Sequence, residues 1–400
     1  MKQSLINAPE QKNAAIKHQI LYLCMLNGAY SIAELTSEID ASIPTITKFV
    51  GELIDEGKLM DLGKKGSARG RRTSTYGLNP EAGYFVGVDV ARQHFHICVT
   101  DFAGDVVAFI KDIAFVLEPT PDSFKSMCSL TKEMVAAQGV SWDRVLSVGV
   151  SLSGRVNPEE GFSLSYFVSD DLPVKDIFAK ALGVPVIVEN DSRAMTYGEY
   201  LDIARTSDEK NMLFINVSWG LGMGMVLDGK LYYGKSGFSG EIGHFPFLEN
   251  GIICRCGKEG CLETGASGSA LHTMITAELA KGRRSSLSKK YDSGEEITLE
   301  DILLAVKEED VLAIEGIENV GDTLGRAIAG LINVFNPGLV VIGGRLIEGK
   351  DYLLLHIRSA VNKHSLKRVS SDTEIRFSKL ARRAAAIGDC ALARAKYLGL

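Results

Sequence analysis

Residues 241–263 read EIGHFPFLENGIICRCGKEGCLE, with Cys254, Cys256 and Cys261 crowded together and His244 ten residues before the first of them. Three thiolates and one imidazole form a closed tetrahedral donor set. Structural zinc requires such a set, whereas catalytic zinc keeps one position open for water. Gly257 and Gly260 permit the tight turn that brings a Cys-x-Cys pair and a later cysteine onto one ion. The alternative is three unrelated thiols in a glycine-rich loop. The chain has seven cysteines, an odd number, which favours thiols and metal ligands over a disulfide framework. Cys24, Cys98, Cys128 and Cys390 are read as ordinary thiols.

Around this stretch the sequence reads as an α/β body. Phe85-Val-Gly-Val-Asp89, Val145-Leu-Ser-Val-Gly-Val150, Val184-Pro-Val-Ile-Val188, Met212-Leu-Phe-Ile215 and Leu339-Val-Val-Ile342 are buried-strand runs separated by helical stretches. Several strands end in small or acidic residues: Asp89, Ser151, Asn190-Asp191, Ser218 and Gly343-Gly344. Ligand sites in such sheets lie at strand C-terminal ends. The polar residues 281–296 are expected to form a loop between helices. Residues 327–344 carry no charge, but Asn333, Asn336, Pro337 and Gly338 make them a helix, a turn and a strand, not a membrane span. The N-terminus lacks the apolar run of a secretory signal, so a cytoplasmic protein is expected.

Before the body comes a different pattern. Ile16, Ile20, Leu21, Leu23 and Cys24 recur at near-helical spacing up to the stop at Asn27-Gly28. Ser31 and Glu34 form a capping box for a second helix with Ile32, Leu35 and Ile39 on its apolar stripe. Ser42 caps a third, with Pro44 in its first turn and Ile46, Phe49, Val50, Leu53 and Ile54 facing inward. Residues 59–78 mix short β-type runs with Gly63, Gly66 and Gly70, as a hairpin does. Three helices and a hairpin make a winged helix-turn-helix. Thr45, Thr47 and Lys48 project from its third helix toward base edges and phosphates, and Lys64, Lys65, Arg69, Arg71 and Arg72 lie along the backbone. The competing reading is a small interaction module with a solvated basic loop.

Charge supports the division. The chain has 44 Lys and Arg against 50 Asp and Glu, a net charge of −6. Residues 1–80 hold ten basic and eight acidic side chains, a balance of +2 that leaves −8 for the remainder. Within residues 58–72, Lys58, Lys64, Lys65, Arg69, Arg71 and Arg72 face only Asp61. An acidic body repels DNA and leaves contact to the basic N-terminal unit.

The unbroken motifs Glu241-Ile-Gly-His244 and Cys254-Arg-Cys256-Gly-Lys-Glu-Gly-Cys261-Leu-Glu263 resemble those of the ROK family (repressor, open reading frame, kinase), within its xylose and N-acetylglucosamine repressor branch. The resemblance covers roughly residues 84–400. It implies an actin-like, hexokinase-like fold of two α/β lobes, giving residues 1–80 as the DNA-binding domain. The first lobe is then 81–190, completed by the C-terminal helix near 380–400, and the second lobe is 191–380 with the zinc site. It further implies that a sugar ring takes hydroxyl contacts from Asn190, Asp191, Glu241, His244 and Glu263, with His244 also ligating zinc. Carboxylates suit vicinal hydroxyls because they accept in pairs.

The family's enzymes need a base and a glycine-rich phosphate cradle. Asp191 matches the base and Asp89 the first acidic position. The cradle departs: Asp89-Val-Ala-Arg-Gln-His94 places bulky Arg92, Gln93 and His94 where phosphate approaches, and Ser218-Trp219-Gly220 stands where Gly-Thr-Gly is usual. The expectation is a sugar-responsive DNA-binding regulator, a repressor, without kinase activity, acting as a homodimer or homotetramer on operator DNA. An ATP-dependent sugar kinase with an N-terminal regulatory domain is the alternative.

Overall fold

The computed structural model describes residues 8–66, 72–165 and 172–400. The chain divides into two compact units. The first runs to Ala194 and adds Leu201–Ser207 and Ala385–Leu400; the second comprises Met195–Tyr200 and Asp208–Ala384.

The first unit begins with α1 (Ala8–Asn27), the short strand β1 (Tyr30–Ser31), α2 (Ile32–Glu38) and α3 (Ile43–Asp55). The capping box at Ser31 is complete: its backbone N–H and hydroxyl both donate to Glu34 Oε2 at 2.7 Å, and Glu34 N–H returns to the Ser31 hydroxyl. Ser42 caps α3, accepting from Thr45 N–H, with Pro44 in the first turn. Ile46, Phe49, Val50 and Leu53 of α3 meet Ile16, Ile20, Leu21 and Cys24 of α1 in one core. At its rim Lys17 Nζ joins the two helices through Glu52 and Glu56, at 2.6 and 2.8 Å. The hairpin of β2 (Leu59–Gly66) and β3 (Arg72–Leu78) follows, and β1 pairs with β3 through Tyr30↔Tyr76, completing the winged-helix sheet. Arg69 and Arg71 lie outside the described residues; Lys65 and Arg72 are placed by strand register alone.

The sheet of the first lobe is built from β4 (Tyr84–Val90), β5 (His94–Asp101), β6 (Val106–Ala114), β7 (Val145–Leu152) and, after the small pair β8 (Val156–Asn157) and β9 (Phe162–Ser163), β10 (Val186–Asn190). Its order is β10-β7-β4-β5-β6, with β10, β7 and β4 parallel and β5 and β6 antiparallel. One face buries Val86, Val88, Phe95, Ile97 and Val150 against Phe124 and Phe178 of the helices α4 (Pro121–Ala136) and α5 (Val174–Leu182).

After β10 comes α6 (Asp191–Ala204), and the second unit's sheet uses β11 (Met212–Val217), β12 (Leu221–Leu227), β13 (Lys230–Leu231), β14 (Leu339–Gly343) and β15 (Glu374–Phe377), in the order β13-β12-β11-β14-β15. Its core is supplied by α7 (Gly268–Ala280), α9 (Leu299–Lys307), α10 (Val311–Phe335) and α11 (Lys350–His364), with the short α8 (Ser288–Asp292) and α12 (Lys367–Ser370) at the edges. Gly325 lets α10 and α11 touch: a Cβ there would stand 2.7 Å from Ala360 Cβ and Ile357 O. α10 stops at Asn336, whose left-handed φ of +43° turns the chain into β14. The uncharged run 327–344 is therefore helix, turn and strand, and no described helix is long and apolar enough to cross a membrane. Residues 281–296, expected as a loop, contain α8. Asp310 Oδ2 accepts from Ser285 Oγ and Ser286 N–H, Leu287 is buried, and Lys290 reaches Asp301, so long-range anchors order a segment that looks merely polar.

The last helix, α13 (Ala384–Leu398), returns to the first unit and covers the other face of its sheet. The approach is close: a Cβ on Gly87 would lie 1.9 Å from Ala386 O, and one on Gly149 2.2 Å from Asp389 O. Phe85, Cys98 and Phe102 of the lobe, Ala386, Cys390, Ala393 and Leu398 of α13, and the winged helix's Ile20, Phe49 and Leu78 form one continuous hydrophobic core. Each buried phenylalanine contributes roughly 2 kcal/mol to that union.

Candidate functional site

In the second unit, His244 ends a single helical turn (Ile242–His244) and the cysteines follow on a glycine-shaped loop. Cys254 N–H bonds Lys258 O and Gly257 N–H bonds Cys254 O, both at 2.8 Å. Gly257 and Gly260 adopt φ of +83° and +75°, and a Cβ on Gly260 would meet Leu248 O at 2.3 Å, so the turn requires glycine there. The result brings one ligand atom from each of His244, Cys254, Cys256 and Cys261 within 4.8 Å of one another. Cys254 Sγ is 3.7 Å from His244 Nδ1, and Cys256 Sγ 3.6 Å from Cys261 Sγ.

Burial and then the neighbouring thiols push Cys261 up to about 12; burial also raises Cys254, while the Lys258 backbone N–H lowers the exposed Cys256. Gathered thiols that resist ionising together are a donor set that a bound divalent cation stabilises as thiolates. The residues present fit a closed four-ligand metal ion.

Two carboxylates flank this centre. Glu263 is buried, its Oε2 accepting from Leu221 N–H at 3.0 Å and its Oε1 lying 3.9 Å from Cys254 Sγ. It is therefore not a solvated surface acid. Glu241 is half-buried, with Oε2 3.9 Å from His244 Nε2. His244 thus turns one ring nitrogen to the cysteines and the other toward a carboxylate, an orientation that fixes a metal-binding imidazole.

Asn190 and Asp191 belong to the first unit. Asn190 caps α6, accepting from Arg193 N–H, while its amide donates to Gly154 O at 2.9 Å and Asp191 Oδ1 at 3.0 Å. Burial raises the Asp191 carboxyl above its ordinary range, opposed by hydrogen bonds from the Ser192 backbone and from the Ser153 and Ser192 hydroxyls. Strand register lines up Glu189, Ser151, Asp89 and His96 across four neighbouring strands. The Ser151 hydroxyl bonds Asp389 Oδ2 of α13 at 2.7 Å and reaches Asp89 Oδ1 at 3.4 Å; Asp389 Oδ1 is buried with no hydrogen-bond partner among the described residues. Burial, followed by the charge of Asp191, lifts Asp89 to about 7, and burial lifts Asp389 far above its usual value. No motif in the sequence marks Asp389. Its one signal is an acid inside the run Ala384-Ala-Ala-Ile-Gly-Asp-Cys-Ala391.

A family model for the ROK family matches residues 85–396, from β4 into α13. The chain belongs to the ROK family. Among its relatives is the xylose repressor of Caldicellulosiruptor bescii, 28% identical over 93% of this chain and 94% of the relative. A glucokinase of Halalkalibacterium halodurans is 30% identical over 76% of this chain and 93% of its own. A crystal structure of a ROK family transcriptional regulator, described as a homologue of the Escherichia coli MLC protein, superimposes with a TM-score of 0.81 at 30% identity. That match covers 97% of this chain and 98% of the other.

The three helices and hairpin precede the ROK match. On α3 Lys48 is exposed; Thr47 is exposed with its hydroxyl bonded to Ile43 O at 2.8 Å, and Thr45 shares its hydroxyl with Ser42 at 2.8 Å. Lys64 is exposed on β2. The structure adds Ile43, 58% exposed at the start of α3, an apolar group suited to a thymine methyl. In the ROK body, Trp219 lies at the β11–β12 turn, 5.6 Å from the His272 ring, and residues 91–93 close the β4–β5 turn through Ala91 N–H to His94 O.

Proposed function

We propose that this ROK protein is a sugar-responsive DNA-binding transcriptional regulator that represses until its effector binds. The observation that carries this reading is the single core joining the winged helix, the first lobe's sheet and α13, which ties the DNA-reading helices to the first lobe, the one that holds Asn190 and Asp191. End-to-end similarity to a xylose repressor and to a ROK regulator structure supports it. The α3 residues Thr45, Thr47 and Lys48 read the major groove, and Lys64, Lys65, Arg69, Arg71 and Arg72 bind phosphates along the wing. Pairing of two copies presents two winged helices to two half-sites.

The effector is a sugar or sugar phosphate. It takes its hydroxyl contacts from Glu241, His244 and Glu263 beside the metal centre and from Asn190 and Asp191. A structural Zn2+ held by His244, Cys254, Cys256 and Cys261 supplies rigidity and no chemistry. The chain's own residues do the recognition: Glu241 and Glu263 accept from vicinal hydroxyls, and His244 is held in one orientation beside them. The sugar must bind the DNA-free and DNA-competent states unequally, or no induction follows.

The bulky Arg92, Gln93 and His94, together with Trp219, in place of a glycine cradle favour a body that senses sugar without phosphorylating it. A sugar kinase is the second reading, favoured by Asp191 at the helix start with its raised carboxyl and by the glucokinase match. A coupled ATP assay over a sugar panel separates the two. The regulator shows no turnover, and turnover abolished by Asp191→Asn would establish the kinase.

A further inference from the structure

Away from the cysteine cluster, two histidines and an aspartate meet on the antiparallel edge of the first sheet. His94 and His96 are two apart on β5, so they share a face, and their rings stand 4.9 Å apart. The partner strand β6 slips register opposite them, between Phe95 and Ile97 of β5. In the slipped segment Asp112 adopts a left-handed φ of +54°. A register break of this kind re-aims a side chain, and aspartate tolerates the conformation better than most residues. Asp112 Oδ1 comes to 4.0 Å from His94 Nε2, and Asp112 N–H donates to His96 Nδ1 at 3.0 Å. One ligand atom from each of the three lies within 4.8 Å of the others.

We infer that His94, His96 and Asp112 form a second, cysteine-free site for a borderline divalent cation of the Zn2+, Ni2+ or Cu2+ class, held by two imidazole nitrogens and one carboxylate oxygen. Four points of chemistry support the assignment. Two nitrogens and one carboxylate oxygen are the donors such ions select, where Mg2+ and Ca2+ take oxygens alone. The hydrogen bond from Asp112 N–H fixes neutral His96 as the tautomer with its proton on Nε2, which leaves the Nδ1 lone pair facing Asp112; a cation takes that lone pair by displacing the N–H, with no change of tautomer. His96 is buried and its ring stacks on Phe109, so one ligand is preorganised. The side chains of His94 and Asp112 remain 28% and 44% exposed, so they can swing inward and leave the ion open positions for water. Tetrahedral bonds of about 2.1 Å place ligand atoms roughly 3.4 Å apart, a closure that rotations of these two side chains supply. The site is one strand from Asp89, the register partner of His96, so a bound cation brings positive charge to the edge of the acidic row.

The test is metal stoichiometry on the untagged full-length protein, dialysed against Zn2+ and measured by mass spectrometry of the metal, with Co2+ absorption as the second readout. Wild type is expected to hold one equivalent more than either His94→Ala or Asp112→Asn; the latter preserves the left-handed preference and the backbone N–H. Cys256→Ser should keep that equivalent. The Co2+ bound there should show weak visible bands without the intense ultraviolet band of thiolate ligation, and Asp112→Asn should remove them. The difference between wild type and variants is independent of the cysteine cluster's own occupancy. Equal zinc content in wild type and both variants, or a Co2+ spectrum unchanged by Asp112→Asn, would overturn the assignment.

Discussion

Asp89 and Asp389 are carboxyls placed where a carboxylate is poorly solvated, and the consequence is a measurable pH dependence. The folded protein holds Asp89 at about 7 against an unfolded value near 4. Between those values the folded state keeps a proton that the unfolded state has lost, so this residue's contribution to stability is fully present below about pH 4 and is lost as pH rises through about 7. Asp89→Asn should therefore flatten the fall in Tm between pH 5 and pH 8 and raise Tm at pH 8 by about 2 °C or more, as read by calorimetry; an unchanged slope would show that Asp89 ionises freely in the fold. At the cysteine–histidine cluster, the proposed zinc site predicts that Cys256→Ser lowers bound zinc by about one equivalent and weakens sugar affinity at least tenfold, measured by metal analysis and titration calorimetry; full sugar affinity in metal-free protein would separate the two. The gathering of His244, Cys254, Cys256 and Cys261 was legible in the sequence because all four fall between positions 244 and 261, where local spacing sets their convergence. The contact of Asp389 with Ser151 was not, because 238 residues separate them and only the return of α13 to the first sheet joins them.

At the scale of elements, the helix starts of the DNA-reading unit were readable because caps are local. Ser31 with Glu34, and Ser42 with Pro44, occupy the expected positions. Ser42→Ala should destabilise the winged helix by about 1 kcal/mol and weaken operator binding without altering sugar affinity, as checked by thermal unfolding and separate titrations. The α8 turn was not readable, because its polar sequence is ordered from a distance by Asp310 and Asp301. The role of α13 was equally hidden. Gly87 and Gly149 look like ordinary strand glycines, yet each admits an α13 backbone carbonyl where a methyl group cannot fit. Gly149→Ala should lift that helix from the sheet, costing about 3 kcal/mol in denaturant unfolding and loosening the winged helix that shares its core.

For the whole molecule, the net charge of −6 is an average of opposite parts, a basic reading unit and an acidic body. DNA affinity should fall steeply with salt, and Arg71→Ala with Arg72→Ala should weaken binding to all sequences and reduce the salt slope by about 2, by fluorescence anisotropy across a salt series. Charge and periodicity set a basic N-terminal stretch apart from an acidic remainder; the fusion of winged helix and first lobe into one core was not legible, since it depends on α13 packing against α1 and β4. The central claim is that sugar occupancy and DNA affinity are coupled. The most direct measurement is titration of the protein onto its own upstream DNA at fixed salt, with and without each of xylose, glucose, N-acetylglucosamine and their phosphates. The account predicts that one of these weakens binding at least tenfold and that Glu263→Gln blunts the shift while leaving sugar-free affinity intact; DNA affinity unmoved by every sugar that calorimetry shows to bind would contradict it.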